Sequence, residues 1–354
     1  MSSRSSNINF KILLHTSAIS VLSAVESSVL PGREREANIW LPHAKKMARK
    51  EQANPQQVES SSGKASEQFW LSCWSTRRDT HPGSNSQSLD FVVACISSPL
   101  GKYPIFLYAN VPSRLLTSSF LSSRIPQLVD RLAGVVKTSR VFSVFGPTPL
   151  TKAFVTSWSR QTCSTAIPEA FYAAKFSTCT RESLAPVGLP LPLGHTLRLA
   201  EPRDAEAAAV LCKEFADDSV YFPLEYADAL KEAKEMIQNQ QLWTYYIQKP
   251  EGQVLACIVA CTRATQNVVA VNKVYTNPSC RSQGCARRLV RHVCDFWLFG
   301  QRKDSVVLYV AHDNEPAERA YHRVGFGGLC GTPAEFEVED WLEIGFENTD
   351  RGHW

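Results

Sequence analysis

The fold is decided by one stretch of the chain, residues 273–291, which has the sequence KVYTNPSCRSQGCARRLVR. A β-favouring run ends at Thr276, Asn277 and Pro278 form a turn, and a helix opens at 281–286. Apolar residues then recur at helical spacing. A helix start offers unpaired N–H groups and a positive dipole end, and a glycine there lets an anion come close. The stretch therefore predicts a pyrophosphate-binding loop between a strand and a helix.

A second motif lies about thirty residues further on, at 314–326, with the sequence NEPAERAYHRVGF. Asn314 is a favourable N-cap, Pro316 suits the first helical turn, and Gly325 suits the position after the helix end. Asn314 and Tyr321 are seven residues apart, about two turns, so both side chains lie near one face. The motif predicts a short helix that presents an amide and a phenol together.

These two motifs together resemble the GNAT superfamily of acetyl-CoA-dependent N-acetyltransferases. The loop at 281–286, R-x-x-G-x-A, is similar to the family's R/Q-x-x-G-x-G/A loop, and the motif at 314–326 is similar to its second CoA motif. The resemblance is strongest over 268–326 and extends across 195–346. It implies an α+β fold with a mixed, mostly antiparallel sheet flanked by helices.

The resemblance also implies roles for individual residues. In the family, backbone amides of the loop bind the pyrophosphate, and the end of the preceding strand holds the pantetheine. The acetyl-CoA-binding residues implied here are Val274, Tyr275, Arg281, Ser282, Gln283, Gly284, Cys285, Ala286, Asn314 and Ala317. Tyr321 is the implied catalytic residue, a general acid for the departing thiolate, and its alternative role is that of a core aromatic on an amphipathic helix.

The general base is not identified by the sequence. An amine must lose a proton before it attacks a thioester. The strand at 268–276 supplies Asn272 and Lys273 but no carboxylate. The candidates lie where an acceptor-binding loop is expected, between the first two helices and the sheet: Glu214, Asp217, Asp218 and Glu225.

The N-terminal half is predicted to be a degenerate copy of the same unit. Its expected strands and helices between 103 and 158 repeat the later order, but Ser122, Ser123 and Arg124 occupy the place of the glycine loop. Prolines at 185–193 predict an extended linker. We therefore predict a degenerate GNAT-like domain at 1–185, a linker at 186–194 and a catalytic GNAT domain at 195–350.

Composition excludes several other classes of protein. The 38 basic and 34 acidic residues give a net charge of +4, so no nucleic-acid partner is expected. A typical long apolar run, 254–261, is too short to span a membrane, so no membrane association is expected. The 11 cysteines form no C-x-x-C pair, and no metal is expected.

Cysteine usage and the N-terminal sequence bear on the compartment. Scattered thiols favour a cytoplasmic protein. The serine-rich stretch before Glu26, with two basic residues and no acid, has the composition of a weak transit peptide, so mitochondrial targeting is the alternative. We favour a folded strand and helix over 8–29, because its apolar residues recur at helical spacing.

The sequence thus predicts an enzyme that transfers acetyl from acetyl-CoA to a primary amine by direct attack. The alternative is a catalytically silent acyl-CoA-binding or protein-interaction module with the same fold. The identity of the amine acceptor is open.

Overall fold

The computed structural model describes residues 8–30, 32–54, 68–78, 85–98, 100–186, 190–218, 221–332 and 338–353. The chain forms two compact units. Unit 1 comprises Met1–Ala173 with Asp340–Trp354, and unit 2 comprises Ala174–Glu339. The predicted division at 186–194 follows chain order, whereas each compact unit includes one strand from the other half of the chain. Within that predicted linker, 187–189 lie outside the described residues.

The strands and helices are numbered in chain order. The strands are β1 (Ile8–His15), β2 (Phe69–Arg78), β3 (Asn85–Cys95), β4 (Ser97–Ser98), β5 (Gly101–Lys102), β6 (Ile105–Ala109), β7 (Ser143–Pro147), β8 (Tyr172–Thr180), β9 (His195–Leu199), β10 (Leu242–Lys249), β11 (Gly252–Ala260), β12 (Arg263–Ala264), β13 (Val268–Val271), β14 (Lys273–Thr276), β15 (Ser305–Ala311) and β16 (Glu339–Gly345). The helices are α1 (Ala18–Val29), α2 (Glu34–Ala37), α3 (Leu41–Ala53), α4 (Ser118–Ser122), α5 (Ile125–Ala133), α6 (Thr148–Thr162), α7 (Ala205–Asp217), α8 (Tyr226–Gln238), α9 (Cys285–Asp295) and α10 (Glu315–His322).

Unit 1 is built on a mixed sheet. Its strands follow the order β1-β2-β3-β6-β7-β16, in which only the β6–β7 pair is parallel. Helices α5 and α6 pack their apolar faces on this sheet, burying Leu128, Phe154 and Trp158 with the strand residues. Strand β1 pairs with β2 along its length and α1 follows directly, which confirms the predicted strand and helix at 8–29.

Unit 2 repeats this plan but with a break in its sheet. Strand β15 pairs antiparallel with β8 and parallel with β13. After Asn272 the chain leaves β13, and β14 pairs instead with β11 in a second sheet of order β14-β11-β10-β9. Among the described residues no ladder joins β14 to β15, so a gap opens between the two strands at Asn272.

The two halves of the chain have the same order of elements and exchange their last strands. Each runs β-α-α-β-β-β-α-β-α-β, apart from short extra turns and strands. Strand β8 follows α6 of the first half but pairs in unit 2, and β16 follows α10 of the second half but pairs in unit 1. The α+β class and the two tandem copies are as predicted. Within the described ranges, no helix has the length and apolar character needed to cross a membrane.

Candidate active site

The loop before α9 is anchored in the core at Cys280 and exposed at residues 281–284. Asn277 accepts a hydrogen bond from the Ser279 N–H at 3.0 Å and starts a short 3₁₀ turn, and Cys280 anchors that turn in the core. Ser282 and Gly284 have left-handed φ angles of 63° and 74°. Residues 281–284 are exposed, so the segment for which a pyrophosphate loop is predicted lies at the surface.

The helix start itself carries unused hydrogen-bond donors. Helix α9 begins at Cys285 with Gly284 as its N-cap, and no side chain caps it. Within the described chain, the N–H groups of Gln283, Gly284, Cys285 and Ala286 have no protein acceptor. A Cβ on residue 284 would lie 3.0 Å from Nη1 of Arg288 and would strain a positive φ. The loop therefore has the free amides and the lack of a side chain that an anion requires.

Helix α10 has the caps that its sequence predicts. Oδ1 of Asn314 accepts a hydrogen bond from the Ala317 N–H at 3.1 Å. At the other end, Gly325 has a φ of 118°, and its N–H donates to the Tyr321 carbonyl at 3.2 Å. A side chain at 325 would collide with the Ser183 carbonyl, so glycine is required there. The N-cap and the helix-ending glycine are confirmed.

Both motifs and β14 meet on one apolar cluster. Cys285 and Tyr321 belong to this cluster, and Val274, Ala286 and Ala317 pack against it. The ring of Tyr321 is 7% exposed and lies edge-on to Phe326, with ring centres 5.9 Å apart. This position suits the packing role of Tyr321 and is also compatible with the catalytic role. The structure thus brings the loop, the strand and the second helix together.

Tyr275 and Arg281 direct their side chains elsewhere. The Tyr275 hydroxyl accepts a hydrogen bond from Nη2 of Arg281 at 3.2 Å, and the ring packs with α7 and α8. Burial, then the charges of Asp218 and Glu214, raise the pKa of Tyr275. The Arg281 guanidinium also lies 3.9 Å from Asp218. The side chains of Tyr275 and Arg281 therefore contact each other and lie outside the apolar cluster that the two motifs share.

The four candidate carboxylates differ in burial and in the partners that they contact. Asp217 forms an exposed pair with Lys213 at 2.6 Å, and Asp218 faces Arg281. Oε2 of Glu214 is buried and has no hydrogen-bond partner among the described residues. Glu225 is the N-cap residue of α8 but makes no capping bond with its side chain.

One ionic pair at the site was missed by sequence reasoning. Nζ of Lys273 lies 2.6 Å from Oε2 of Glu232, although the two residues are 41 positions apart in the sequence. Lys273 was part of the quoted stretch, but its partner lies on α8 and no local pattern points to it. The pair brings a carboxylate to β14, which has none of its own.

Burial keeps the cysteine thiols near the site protonated. Burial raises the pKa of Cys285, and it raises that of Cys257 to about 12, so neither supplies a thiolate near neutral pH. Within the part of the chain that the structure describes, no three His, Cys, Asp or Glu side chains are grouped to hold a metal ion.

Comparison with known proteins gives a family for the second copy. Residues 210–326 match the model of the acetyltransferase (GNAT) family. Comparison with curated protein sequences gives no match. A solved structure of a Drosophila protein is similar over 96% of this chain and 99% of its own, at 10% identity and a TM-score of 0.52.

Two further solved structures are similar at lower TM-scores. A tandem GNAT protein from the clavulanic acid biosynthesis pathway covers 97% of this chain and 100% of its own, at 10% identity and a TM-score of 0.49. A GNAT-family acetyltransferase from Colwellia psychrerythraea covers 96% of this chain and 99% of its own, at 11% identity and a TM-score of 0.47.

The fold, with its loop before α9 and its gap between β14 and β15, is that of an acyltransferase-type domain. The family match over 210–326 identifies that domain in the second half of this chain as a member of the GNAT acetyltransferase family.

Proposed function

We propose that the protein transfers acetyl from acetyl-CoA to a primary amine, and that the second copy carries the reaction. The observation that supports this most is the start of α9, where the N–H groups at and around exposed Gly284 have no protein acceptor among the described residues. Such a group of donors at the positive end of a helix suits the pyrophosphate of CoA.

The gap between β14 and β15 suits the pantetheine arm. The open edge of β14 presents backbone groups of Val274 and Tyr275, which can pair with amides as a neighbouring strand would. An N–H of this edge would also polarise the thioester carbonyl. Asn314 uses its Oδ1 as an N-cap, which leaves its amide nitrogen to contact the arm.

Direct transfer is favoured over a covalent enzyme intermediate. The raised pKa values of Cys257 and Cys285 keep both thiols protonated and unreactive. In the proposed reaction the amine attacks the thioester carbon and CoA leaves as a thiolate. Tyr321, on the cluster that Val274 and Ala317 also contact, would donate the proton that the thiolate takes up.

The first copy is proposed to serve as scaffold.

The protein is proposed to work in the cytoplasm. All 11 cysteines are free thiols in the structure, as in a reducing compartment.

Release of CoA thiol in the presence of a panel of primary amines tests the proposal. We expect acetyl-CoA to bind and at least one amine to stimulate thiol release. Tight binding without release for any amine would favour the silent acyl-CoA-binding module instead. Absence of acetyl-CoA binding would contradict both.

A further inference from the structure

Lys273 is a buried cation at the point where β14 leaves the sheet. It is 8% exposed and directly follows Asn272. Its Nζ lies 2.6 Å from Oε2 of Glu232 on α8 and 5.2 Å from the centre of the Phe215 ring on α7. An ammonium group is costly to bury unless it is paired. Lys273 therefore ties both helices to β14 beside the gap that would hold the pantetheine.

One carboxylate oxygen of Glu232 pairs with Lys273, and the other accepts no hydrogen bond from the described residues. Oε2 faces Lys273, whereas Oε1 has no protein donor among the described residues. The side chain of Glu232 is 21% exposed, so water or a ligand can reach it. A carboxylate fixed in orientation with one free oxygen is suited to take a proton from a bound amine.

Two of the candidate carboxylates, Asp218 and Glu214, lie near Tyr275, toward the loop end of β14. The charges of Asp218 and Glu214 help to raise the pKa of Tyr275. The Tyr275 hydroxyl accepts a hydrogen bond from Arg281 in the predicted pyrophosphate loop. Lys273 precedes Tyr275 by two residues, about 7 Å along a strand. Among the described residues, the carboxylate that pairs with β14 at the break, where β14 and β15 separate, is therefore that of Glu232.

We propose that Glu232 is the proton acceptor of the reaction and that Lys273 is its positioning residue, an assignment that rests on the proposed function. The ammonium form of the acceptor gives a proton to Oε1 of Glu232. The freed nitrogen lone pair forms a bond to the acyl carbon, and the carbon–sulfur bond breaks. The thiolate takes a proton from Tyr321, the nitrogen of the new amide loses its second proton to water, and Tyr321 regains a proton from water. Glu232 then releases its proton to water, so that one proton is released overall.

The Glu232→Gln variant tests this assignment, with Asp228→Asn as the matched control one turn earlier on the exposed face of α8. At pH 7 we expect kcat for Glu232→Gln to fall about a hundredfold. The acetyl-CoA dissociation constant should stay unchanged. The loss should shrink as the pH approaches the pKa of the amine substrate, because the amine then loses its proton in solution. Asp228→Asn should match the wild type throughout.

Two results would overturn the assignment: wild-type kcat for Glu232→Gln between pH 6 and pH 10, or a loss of kcat that is the same at every pH. The second result would mark a structural role. If Glu232→Gln does not fold because Lys273 is left unpaired, the Lys273→Met, Glu232→Gln double variant removes both charges. It should show the same pH-dependent loss, and a pH-independent loss would again contradict the assignment.

Failure of the assignment is distinguishable from failure of the proposed function. Wild-type protein that releases no CoA thiol with any amine contradicts the proposed function and, with it, this role of Glu232. Wild-type protein that turns over while Glu232→Gln is unaffected contradicts the role of Glu232 alone.

Discussion

Helices α5 and α9 follow corresponding strands in the two copies, yet their N-termini are built differently. Helix α9 starts at exposed Gly284 with free amides. Helix α5 starts at Arg124, which is 4% exposed and reaches Asp90 at 2.8 Å, and Pro126 removes a donor from its first turn. The Arg124 guanidinium also lies 3.8 Å from the centre of the Phe120 ring on the preceding short helix. One start exposes donors to a ligand, and the other is filled by the chain's own side chains.

The second helix of each motif pair differs in the same sense. The N-cap residue of α10 is Asn314, and Tyr321 lies seven residues after it within the helix. The N-cap residue of α6 is Pro147, and Phe154 lies seven residues after it within the helix. The first copy therefore lacks the amide and the hydroxyl at these places. Phe154 is fully buried and stacks on Trp158 at 6.0 Å. The same fold therefore retains its core in both copies, while the groups proposed to bind the ligand in the second copy are replaced by packing side chains in the first.

The largest effect is expected from Gly284→Asp. The new side chain would contact the Arg288 guanidinium and place a negative charge in the loop that is proposed to bind the pyrophosphate. We expect the acetyl-CoA dissociation constant to rise about a thousandfold, equivalent to about 4 kcal/mol. Calorimetric titration measures it, with Ser123→Asp at the exposed start of α5 as the matched control that leaves binding unchanged. A folded Gly284→Asp variant with wild-type affinity would show that the loop does not bind the pyrophosphate.

Arg124→Ala probes the first copy in the same way. Removing the guanidinium leaves Asp90 buried, with the Ser75 hydroxyl as its side-chain hydrogen-bond donor among the described residues. We expect the free energy of unfolding to fall by about 3 kcal/mol, the lower range for breaking a buried ion pair. Urea unfolding measures this change. Acetyl-CoA affinity should stay at the wild-type value, and a large loss of affinity in the folded variant would link the first copy to binding.

Tyr321→Phe separates packing from chemistry in the second copy and introduces the residue type that the first copy has at 154. The ring stays in the cluster, so the melting temperature should barely change. If Tyr321 is the general acid, kcat should fall about a hundredfold, or roughly 2.7 kcal/mol, with acetyl-CoA binding retained. Single-turnover kinetics measures the chemical step. Wild-type kcat in this assay would assign Tyr321 to packing.

The smallest effect concerns a buried acid of unit 1, contributed by β16 from the second half of the chain. Oε1 of Glu343 accepts a hydrogen bond from the Ser143 hydroxyl at 2.6 Å, and burial raises the pKa of Glu343 to about 8. The folded state then keeps a proton that the unfolded chain loses above its pKa of about 4.3. Stability should therefore fall as pH rises between these two values.

Glu343→Gln removes this titration. We expect the variant to be about 1 kcal/mol more stable than the wild type at pH 8, a gain limited by the amide's own need for partners. The difference should vanish below about pH 4. Thermal unfolding at both pH values measures it, and equal stability at pH 8 would show that Glu343 is ionised in the folded protein.

The local parts of the site could be predicted from the sequence, and the long-range parts could not. Gly284, the Asn314 cap and Gly325 follow from short patterns in which each residue's neighbours set its conformation. The exchange of β8 and β16 depends on strand pairing across about 130 to 200 residues, for which periodicity carries no signal. The Lys273–Glu232 pair likewise joins two elements that only the folded chain brings together.

Side-chain direction set a second limit. The resemblance to the GNAT family implies that Arg281 is one of the acetyl-CoA-binding residues. Its guanidinium, however, reaches back to Tyr275 and Thr276, because the extended backbone at 281 turns the side chain over β14. A motif fixes the order of residues in a loop but not the direction of each side chain.

The stoichiometry of acetyl-CoA binding tests the central claim most directly. Calorimetric titration of the full chain should give one site, located in the second copy, and this site should be lost in Gly284→Asp. Two equivalent sites per chain, or a full-stoichiometry site that survives Gly284→Asp, would contradict the assignment of the first copy as scaffold.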